Sequence, residues 1–156
     1  DGETFEENSR KKAKEIADYT NIVTISDDSG LCVDALDGGP GVYSARFGGE
    51  NTTDSEKNQK MLELLKDVKK ENRKAHFVSV VSIAFPNGEI HSFRGEIEGE
   101  ILFEARGNNG FGYNPIFYSY ELGKSFGEAD DEERKSVSHR ARAFRKLIAS
   151  GLLEEK

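Results

Sequence analysis

Two adjacent carboxylates lie in the segment Asp27-Asp28-Ser29-Gly30, directly after the β-branched run Ile22-Val23-Thr24-Ile25. The run predicts a buried strand over about 22–26, which places the carboxylates in a turn at its C-terminal end. Because side chains alternate along extended backbone, Asp27 and Asp28 are expected to point in different directions. A carboxylate in such a place can hold a hard cation such as Mg²⁺ or accept a proton from water. An ordinary Asx-type turn explains the same residues equally well.

A glycine-rich segment with aromatic residues is the second candidate for chemistry. It reads Gly110-Phe111-Gly112-Tyr113-Asn114-Pro115. Glycines let the backbone approach a ligand closely, and the rings of Phe111 and Tyr113 offer flat surfaces for stacking on a nucleobase. The alternative is a glycine-rich turn that carries two core aromatic residues.

A basic segment near the C-terminus is the third candidate. It runs from Arg134 to Arg140, and Ser138 is a plausible N-cap that puts His139 and Arg140 in the first turn of a helix. Cations at a helix N-terminus oppose the helix dipole, an arrangement that is tolerated where an anion or a carbonyl-rich ligand binds. A solvated basic helix edge is the alternative.

The first helix must position one unusual lysine. Thr4-Phe5-Glu6-Glu7 has the form of a capping box and predicts a helix to about Tyr19. On a helical wheel Phe5, Ser9, Ala13, Ile16 and Tyr19 share the predicted apolar face, and Lys12 is the one charge inside it, between Ile16 and Tyr19. A lysine whose stem snorkels along this face explains the position, and a functional role stays open.

The remaining pattern indicates a mixed α/β sheet. A second capping box at Thr53–Glu56 opens a helix towards Val68, and residues 75–85 predict a central strand. Pro86-Asn87-Gly88-Glu89 is a hairpin signal that leads into a strand from Ile90 towards 102. Two short strands are expected at 31–33 and 116–118, and a final helix over 138–150. Helices at both ends of a strand-rich middle predict the α/β class.

Composition limits the classes of partner. The chain has 156 residues, a net charge of −7 and a single cysteine, Cys32, which favours one domain in a reducing compartment. The acidic balance argues against a nucleic-acid polymer but leaves room for a small anionic ligand. No apolar run approaches the ~20 residues that span a membrane. The only methionine is Met61, so we expect that residue 1 is not the translation start.

Five segments, in this order, resemble the inosine-triphosphate pyrophosphatase family (ITPase, or XTP/dITP pyrophosphatase). They are TFEENSRKKA at 4–13, DDSGL at 27–31, PGVYSARF at 40–47, GFGYNPIF at 110–117 and SHRARA at 138–143. The resemblance implies a cytosolic homodimer with an ITPase-like mixed sheet flanked by helices and two lobes around a central cleft. It also implies Mg²⁺-dependent hydrolysis of ITP, dITP and XTP to the monophosphate and pyrophosphate, which cleanses the nucleotide pool.

The resemblance assigns roles to individual residues. Asp28 matches the metal ligand and proton acceptor, and Ser29 lies beside the substrate. Lys12 matches a helix lysine that contacts the phosphates, and His139 and Arg140 match a pair that reads the base. A hydrogen bond from a cation to the purine 6-oxo group would accept hypoxanthine or xanthine and reject adenine. The remaining substrate-binding residues implied are Phe111, Gly112, Tyr113, Asn114 and Arg134.

The chain departs from the family pattern in three places. Asn114 stands where the family has Asp, and Arg134 occupies the family's Lys position. The family's N-terminal strand, its phosphate-binding loop and an upstream acidic metal ligand have no counterpart, so we expect a single ITPase-like domain, 1–156, that is N-terminally incomplete. Two other readings stay open: a nucleotide-binding module without turnover, and a Maf-like nucleotide pyrophosphatase.

Overall fold

A computed structural model describes residues 2–108 and 111–154 and confirms the α/β class. Asn109 and Gly110 of the aromatic segment lie outside the described residues. The α-helices are α1 (Phe5–Thr20), α2 (Asp54–Leu64), α3 (Asp131–Ser136) and α4 (His139–Ala149). The strands are β1 (Thr24–Val33), β2 (Gly39–Pro40), β3 (Lys74–Ala84), β4 (Ile90–Ile101), β5 (Phe117–Ser119) and β6 (Lys124–Ser125). They form one sheet in the order β2-β1-β3-β4-β5-β6.

Strand pairing is antiparallel wherever the register is defined. Cys32 lies opposite Pro40 between β1 and β2, and Ile101 lies opposite Phe117 between β4 and β5. The predicted hairpin is confirmed, because Phe85 N–H donates to the Glu89 carbonyl at 2.8 Å. Gly88 takes φ +96° in this turn, a conformation that favours glycine. Within the described part of the chain, no helix has the length and apolar character needed to cross a bilayer.

Strand β1 corrects the first prediction. It continues without interruption from Thr24 through the acidic segment to Val33, so the expected turn at 27–30 and the separate strand at 31–33 are both wrong. Asp and Gly are disfavoured in strands, but tertiary contacts override this weak preference. Here those contacts come from side chains of helices, as the site geometry below shows.

Helix α1 begins as predicted and buries part of the predicted face. The Thr4 hydroxyl accepts from Glu7 N–H at 3.0 Å, whereas the Glu7 carboxylate accepts from Glu3 N–H and the capping box stays open. Its buried residues follow a four-residue spacing: Phe5, Ser9, Ala13 and Ala17. Ile16 and Tyr19 are exposed. The predicted apolar face is therefore confirmed for Phe5, Ser9 and Ala13 and wrong for the part around Lys12. The small residues let the helix approach closely enough for Ser9 to bond Ser82 at 2.5 Å.

The first of two compact units comprises the described residues of Asp1–Ser29, Val78–Glu96 and His139–Lys156. It contains α1, α4 and the adjoining parts of β1, β3 and β4. Its core includes Val81, Ile83, Ala143 and Leu147. Gly95 allows α4 to pack on β4, because a Cβ there would lie 2.3 Å from the His139 carbonyl oxygen.

The second unit comprises Gly30–Phe77 and Ile97–Ser138. Helix α2 opens on the predicted capping box at Thr53 and Glu56 but ends at Leu64, before Val68. The rings of Phe77, Phe117 and Phe126 pack together in the core.

Arg73 is the largest fully buried side chain of the second unit, with 1% exposure. Its guanidinium donates to four backbone carbonyl groups, at distances of 2.5–3.0 Å. Two of these carbonyls follow α2 and two end or follow β4: Leu65, Val68, Ile101 and Leu102. One charged side chain thus satisfies the backbone at the ends of two elements.

Candidate active site

Asp28 in the first unit has a carboxylate that is held at one oxygen. Asn8 Nδ2 donates to Asp28 Oδ2 at 3.1 Å, and Gly2 N–H donates to Asn8 Oδ1 at 2.7 Å. The second contact fixes which end of the Asn8 amide faces the carboxylate. Within residues 2–108 and 111–154, no cation pairs with Asp28 and its Oδ1 forms no hydrogen bond. One oriented carboxylate oxygen therefore stays available to a cation or a proton.

Asp27, the neighbouring carboxylate, joins three elements of the same unit. Lys12 Nζ on α1 donates to the Asp27 carbonyl oxygen at 2.5 Å. Arg140 Nε on α4 donates to Asp27 Oδ2 at 3.0 Å. Ser29 Oγ lies 3.4 Å from the same carboxylate and donates to Ser79 Oγ at 3.0 Å. Asp27 therefore anchors helices to a strand and holds no turn.

The contacts of Lys12 and Arg140 leave part of each cation unengaged. Both residues are exposed, and the ammonium of Lys12 has three donors, of which one reaches Asp27. Arg140 engages Asp27 through Nε, and its terminal nitrogens form no hydrogen bond within the described residues. The Asp27 carboxylate also offsets the unfavourable position of Arg140 in the first turn of α4. Two cations with spare donors thus flank the 27–29 segment.

His139 lacks the positive charge at neutral pH that its predicted role requires. Burial, together with the positive charge of Arg140, lowers the pKa of His139 to about 4, while Asp27 acts in the opposite direction. The imidazole is therefore neutral at pH 7. Of the predicted base-reading pair, Arg140 alone carries a positive charge at neutral pH.

The depressed pKa of His139 predicts a pH dependence of stability. The unfolded chain protonates His139 near its ordinary pKa of about 6.5, whereas the folded chain does so near 4. The unfolded state therefore binds more protons between these values, and stability falls as the pH is lowered through this window. Urea unfolding at several pH values should show that His139→Gln loses less stability between pH 6.5 and 4, by on the order of 2 kcal/mol. Equal pH profiles for the two proteins would contradict a buried neutral imidazole.

In the second unit the two aromatic residues of the 111–114 segment have different surroundings. Phe111 is 77% exposed, whereas Tyr113 is 7% exposed and packs against Phe47. The Tyr113 hydroxyl donates to the Ser44 carbonyl at 2.7 Å, and burial raises its pKa, with a smaller contribution from Asp54. Only Phe111 of this pair offers an open ring face. The segment therefore combines one core aromatic residue with one exposed one.

Asn114 and Arg134, also in the second unit, take part in local backbone contacts. Asn114 N–H donates to the Phe111 carbonyl at 3.2 Å, and its own carbonyl accepts from Gly127 N–H at 2.9 Å. Arg134 donates to the Phe126 and Ala129 carbonyls and pairs with Asp131. The guanidinium of Arg134 is thus engaged within its own unit, which favours a structural role over its predicted contact with substrate.

Asn8 and Ser79 are contact residues that the sequence patterns missed. Asn8 lies four residues before Lys12, so the two share a face of α1 and reach consecutive residues of β1. That spacing is a usable signal once β1 is known to run beside α1. Ser79 lies within a buried strand and carries no such signal.

The geometry defines an α/β protein in which an oriented carboxylate, Asp28, follows directly on a residue, Asp27, that binds two cations. Similar proteins identify its family. The Ham1 family model matches residues 1–150. The dITP/XTP pyrophosphatase of Desulforamulus reducens is 50% identical over 148 residues, which cover 95% of this chain and 74% of that protein. The chain belongs to the Ham1 family, and the resemblance found in the sequence is confirmed.

Solved structures agree with this assignment. A HAM1 protein from Coxiella burnetii matches with a TM-score of 0.90 and 40% identity, over 96% of this chain and 77% of that one. The Staphylococcus aureus Ham1 protein also gives a TM-score of 0.90, with 42% identity over 99% of this chain and 79% of that one. The fold described above is therefore the fold of this family.

Proposed function

We propose that the chain hydrolyses non-standard purine nucleoside triphosphates (ITP, dITP and XTP) to the monophosphate and pyrophosphate, and so cleanses the nucleotide pool. The observation that carries the proposal is an Asp28 oxygen with no partner within the described residues, in a segment whose neighbouring residue Asp27 binds two cations with spare donors, Lys12 and Arg140. A triphosphate needs such cations, and its hydrolysis needs an acceptor for the proton of water. The dITP/XTP pyrophosphatase at 50% identity supports this substrate class.

The donors around Asp28 fit Mg²⁺, which we propose as the cofactor. Mg²⁺ prefers oxygen ligands and usually takes one or two protein carboxylates together with substrate phosphates. Asp28 supplies such a carboxylate, and no cation within the described residues competes for it. The bound ion would neutralise phosphate charge as it develops in the reaction.

Residues of the first unit are assigned to phosphate binding and to activation of the attacking water. Lys12 binds phosphate oxygens through its two unused donors, and Ser29 lies beside the substrate. Asp28 orients the water that attacks the α-phosphorus and accepts its proton. Positioning and charge stabilisation account for most of the rate in such reactions, because little covalent chemistry falls to the protein.

Base selection is proposed to depend on Arg140. Its terminal N–H groups, which have no partner within the described residues, donate to the 6-oxo group of hypoxanthine or xanthine, whereas the 6-amino group of adenine presents donors instead. His139, neutral at pH 7, offers one ring N–H and one acceptor nitrogen. Phe111 supplies an exposed ring for stacking on the base. A cytoplasmic homodimer is part of the same proposal, and sedimentation measurements test the dimer.

The test is pyrophosphate release from ITP, XTP, ATP and GTP, each with Mg²⁺ and with excess EDTA. We expect kcat/KM for ITP and XTP to exceed that for ATP by about 100-fold or more, since a site built around a substrate acceptor rejects a donor there. EDTA should abolish turnover. Equal rates for ITP and ATP would overturn the proposed selectivity. ITP binding by calorimetry without pyrophosphate release would identify a nucleotide-binding module instead.

A further inference from the structure

Helix α2 holds both backbone polar groups of Gly112. Asp54 Oδ2 accepts from Gly112 N–H at 2.9 Å, and Asn58 Nδ2 donates to the Gly112 carbonyl at 3.0 Å. The two side chains are four residues apart and therefore share one face of α2. This pair, which we call the Gly112 clamp, restrains the peptide groups on both sides of a single residue.

The clamp restrains a residue whose backbone adopts the left-handed conformation. Gly112 has φ +62°, and a Cβ built there would meet no atom within 4 Å. Space therefore does not demand glycine at this position, but the left-handed conformation favours it. Glycine also has more conformational freedom in its backbone dihedral angles than any other residue. Two hydrogen bonds from α2 therefore restrict dihedral angles that would otherwise vary widely.

The burial of the Asn58 amide is energetically unfavourable, and core packing does not explain why an amide is present. The residue is 8% exposed, and its buried Oδ1 has no hydrogen-bond partner within the described part of the chain. Its amide cannot turn round, because the Gly112 carbonyl accepts only and must face Nδ2. A buried amide with an unmade hydrogen bond is less stable than a well-packed apolar side chain. The contact with Gly112 is therefore the reason for an amide here.

The restraint on Gly112 affects the two residues on either side of it. Phe111 precedes it with an exposed ring, and Tyr113 follows it with a hydroxyl fixed to the Ser44 carbonyl. Phe111, Gly112, Asp54 and Asn58 all line one cavity of about 330 Å³ in the second unit. Holding Gly112 therefore sets the direction in which the Phe111 ring is presented.

We propose that Asp54 and Asn58 are positioning residues that set base selectivity by fixing Gly112 and, through it, the stacking ring of Phe111. The inference rests on the proposed function, because it assigns the ring to the purine base of the substrate. Neither residue touches the substrate; both act through the backbone that they restrain. Preorganising the ring lowers the entropy lost on binding, so the clamp acts on KM more than on kcat.

Kinetic variants separate this role from a merely structural one. Asn58→Leu removes the donor to the Gly112 carbonyl, and Asp54→Ala removes the acceptor for its N–H. We expect each to raise KM for ITP about tenfold and to lower the ITP-over-ATP preference about tenfold, with kcat within twofold. Asp54→Asn keeps an oxygen acceptor and should restore most of the loss. Ser55→Ala and Gln59→Ala alter the same cavity without a bond to Gly112 and should behave as the unaltered protein.

A spectroscopic readout tests the clamp without relying on turnover. The chain has no tryptophan, so Phe111→Trp introduces a single reporter. Its fluorescence anisotropy should fall when Asn58→Leu or Asp54→Ala is added, and should stay unchanged with Gln59→Ala. Asp54 is half-exposed, so Asp54→Ala remains informative if circular dichroism shows that Asn58→Leu does not fold.

The outcomes distinguish the two proposals. Unchanged anisotropy and unchanged ITP-over-ATP preference in a folded clamp variant would overturn the inference while leaving the proposed function intact. Failure of the unaltered protein to hydrolyse ITP would overturn the proposed function and the assignment of the ring to a base. A fall in thermal stability with KM, selectivity and anisotropy unchanged would assign the clamp to folding alone and so overturn the inference.

Discussion

Asp28→Asn is expected to lower kcat for pyrophosphate release from ITP by about 1,000-fold or more. The amide removes the negative charge that would hold Mg²⁺ and cannot accept the proton of the attacking water. Its oxygen can still accept from Asn8 Nδ2, which bonds Asp28 Oδ2 at 3.1 Å, so the local structure should persist. Steady-state kinetics and the circular dichroism spectrum measure the two effects separately.

Asp37→Asn is the matched control for this loss of charge. Asp37 is exposed and takes φ +55°, a conformation that asparagine tolerates well. Its replacement should leave kcat within twofold. An Asp28→Asn protein that keeps more than about a tenth of the activity would remove Asp28 from the role of proton acceptor, since general bases typically contribute 100-fold or more.

Arg73→Met is expected to destabilise the protein by about 4 kcal/mol. Methionine fills much of the same volume but cannot donate to the four carbonyl groups that the guanidinium binds. The Leu65 carbonyl keeps its hydrogen bond from Val68 N–H at 2.9 Å, but the Val68, Ile101 and Leu102 carbonyls would lose the guanidinium donor. Each buried carbonyl without a donor costs about 1–3 kcal/mol unless water reaches it. Because whole domains have free energies of unfolding of about 5–15 kcal/mol, a large fraction of the stability depends on this side chain. Urea unfolding at pH 7 measures the change.

Arg106→Met provides the comparison at an exposed arginine of the same unit. It should change the free energy of unfolding by less than about 0.5 kcal/mol, as surface substitutions usually do. A loss of under about 1 kcal/mol for Arg73→Met would show that solvent replaces the guanidinium at the carbonyls.

The sequence predicted the parts of the fold that depend on local chemistry. Capping side chains mark the start of α1 and α2, and the Asn87-Gly88 turn marks the hairpin before β4. Such signals involve only a few neighbouring residues, so they can be recognised from the sequence alone. Two of the proposed site residues of the first unit, Asp28 and Arg140, were also marked by charges in unusual places.

The errors came from contacts between residues far apart in the chain. Asp27 and Asp28 were assigned to a turn because carboxylates are rare inside strands, and partners on α1 and α4 make them tolerable there. Ile16 and Tyr19 were predicted to lie on the buried face of α1, whereas both are exposed and the smaller Ala17 is buried. The burial of Arg73 has no signal in the sequence, since nothing local shows that four carbonyls surround the side chain. Lys12 was singled out for the wrong reason, because its face is exposed.

The ion pair between Asp27 and Arg140 joins residues that are 113 positions apart. On the ribosome, where the N-terminal part of a chain emerges first, α1 and β1 are exposed long before α4 is made. Closing so long a loop has an entropic cost that is repaid only when the distant partner arrives. The candidate site of the first unit therefore forms only after α4 has been made, and a nascent chain that is released before that point would carry Asp28 without Arg140.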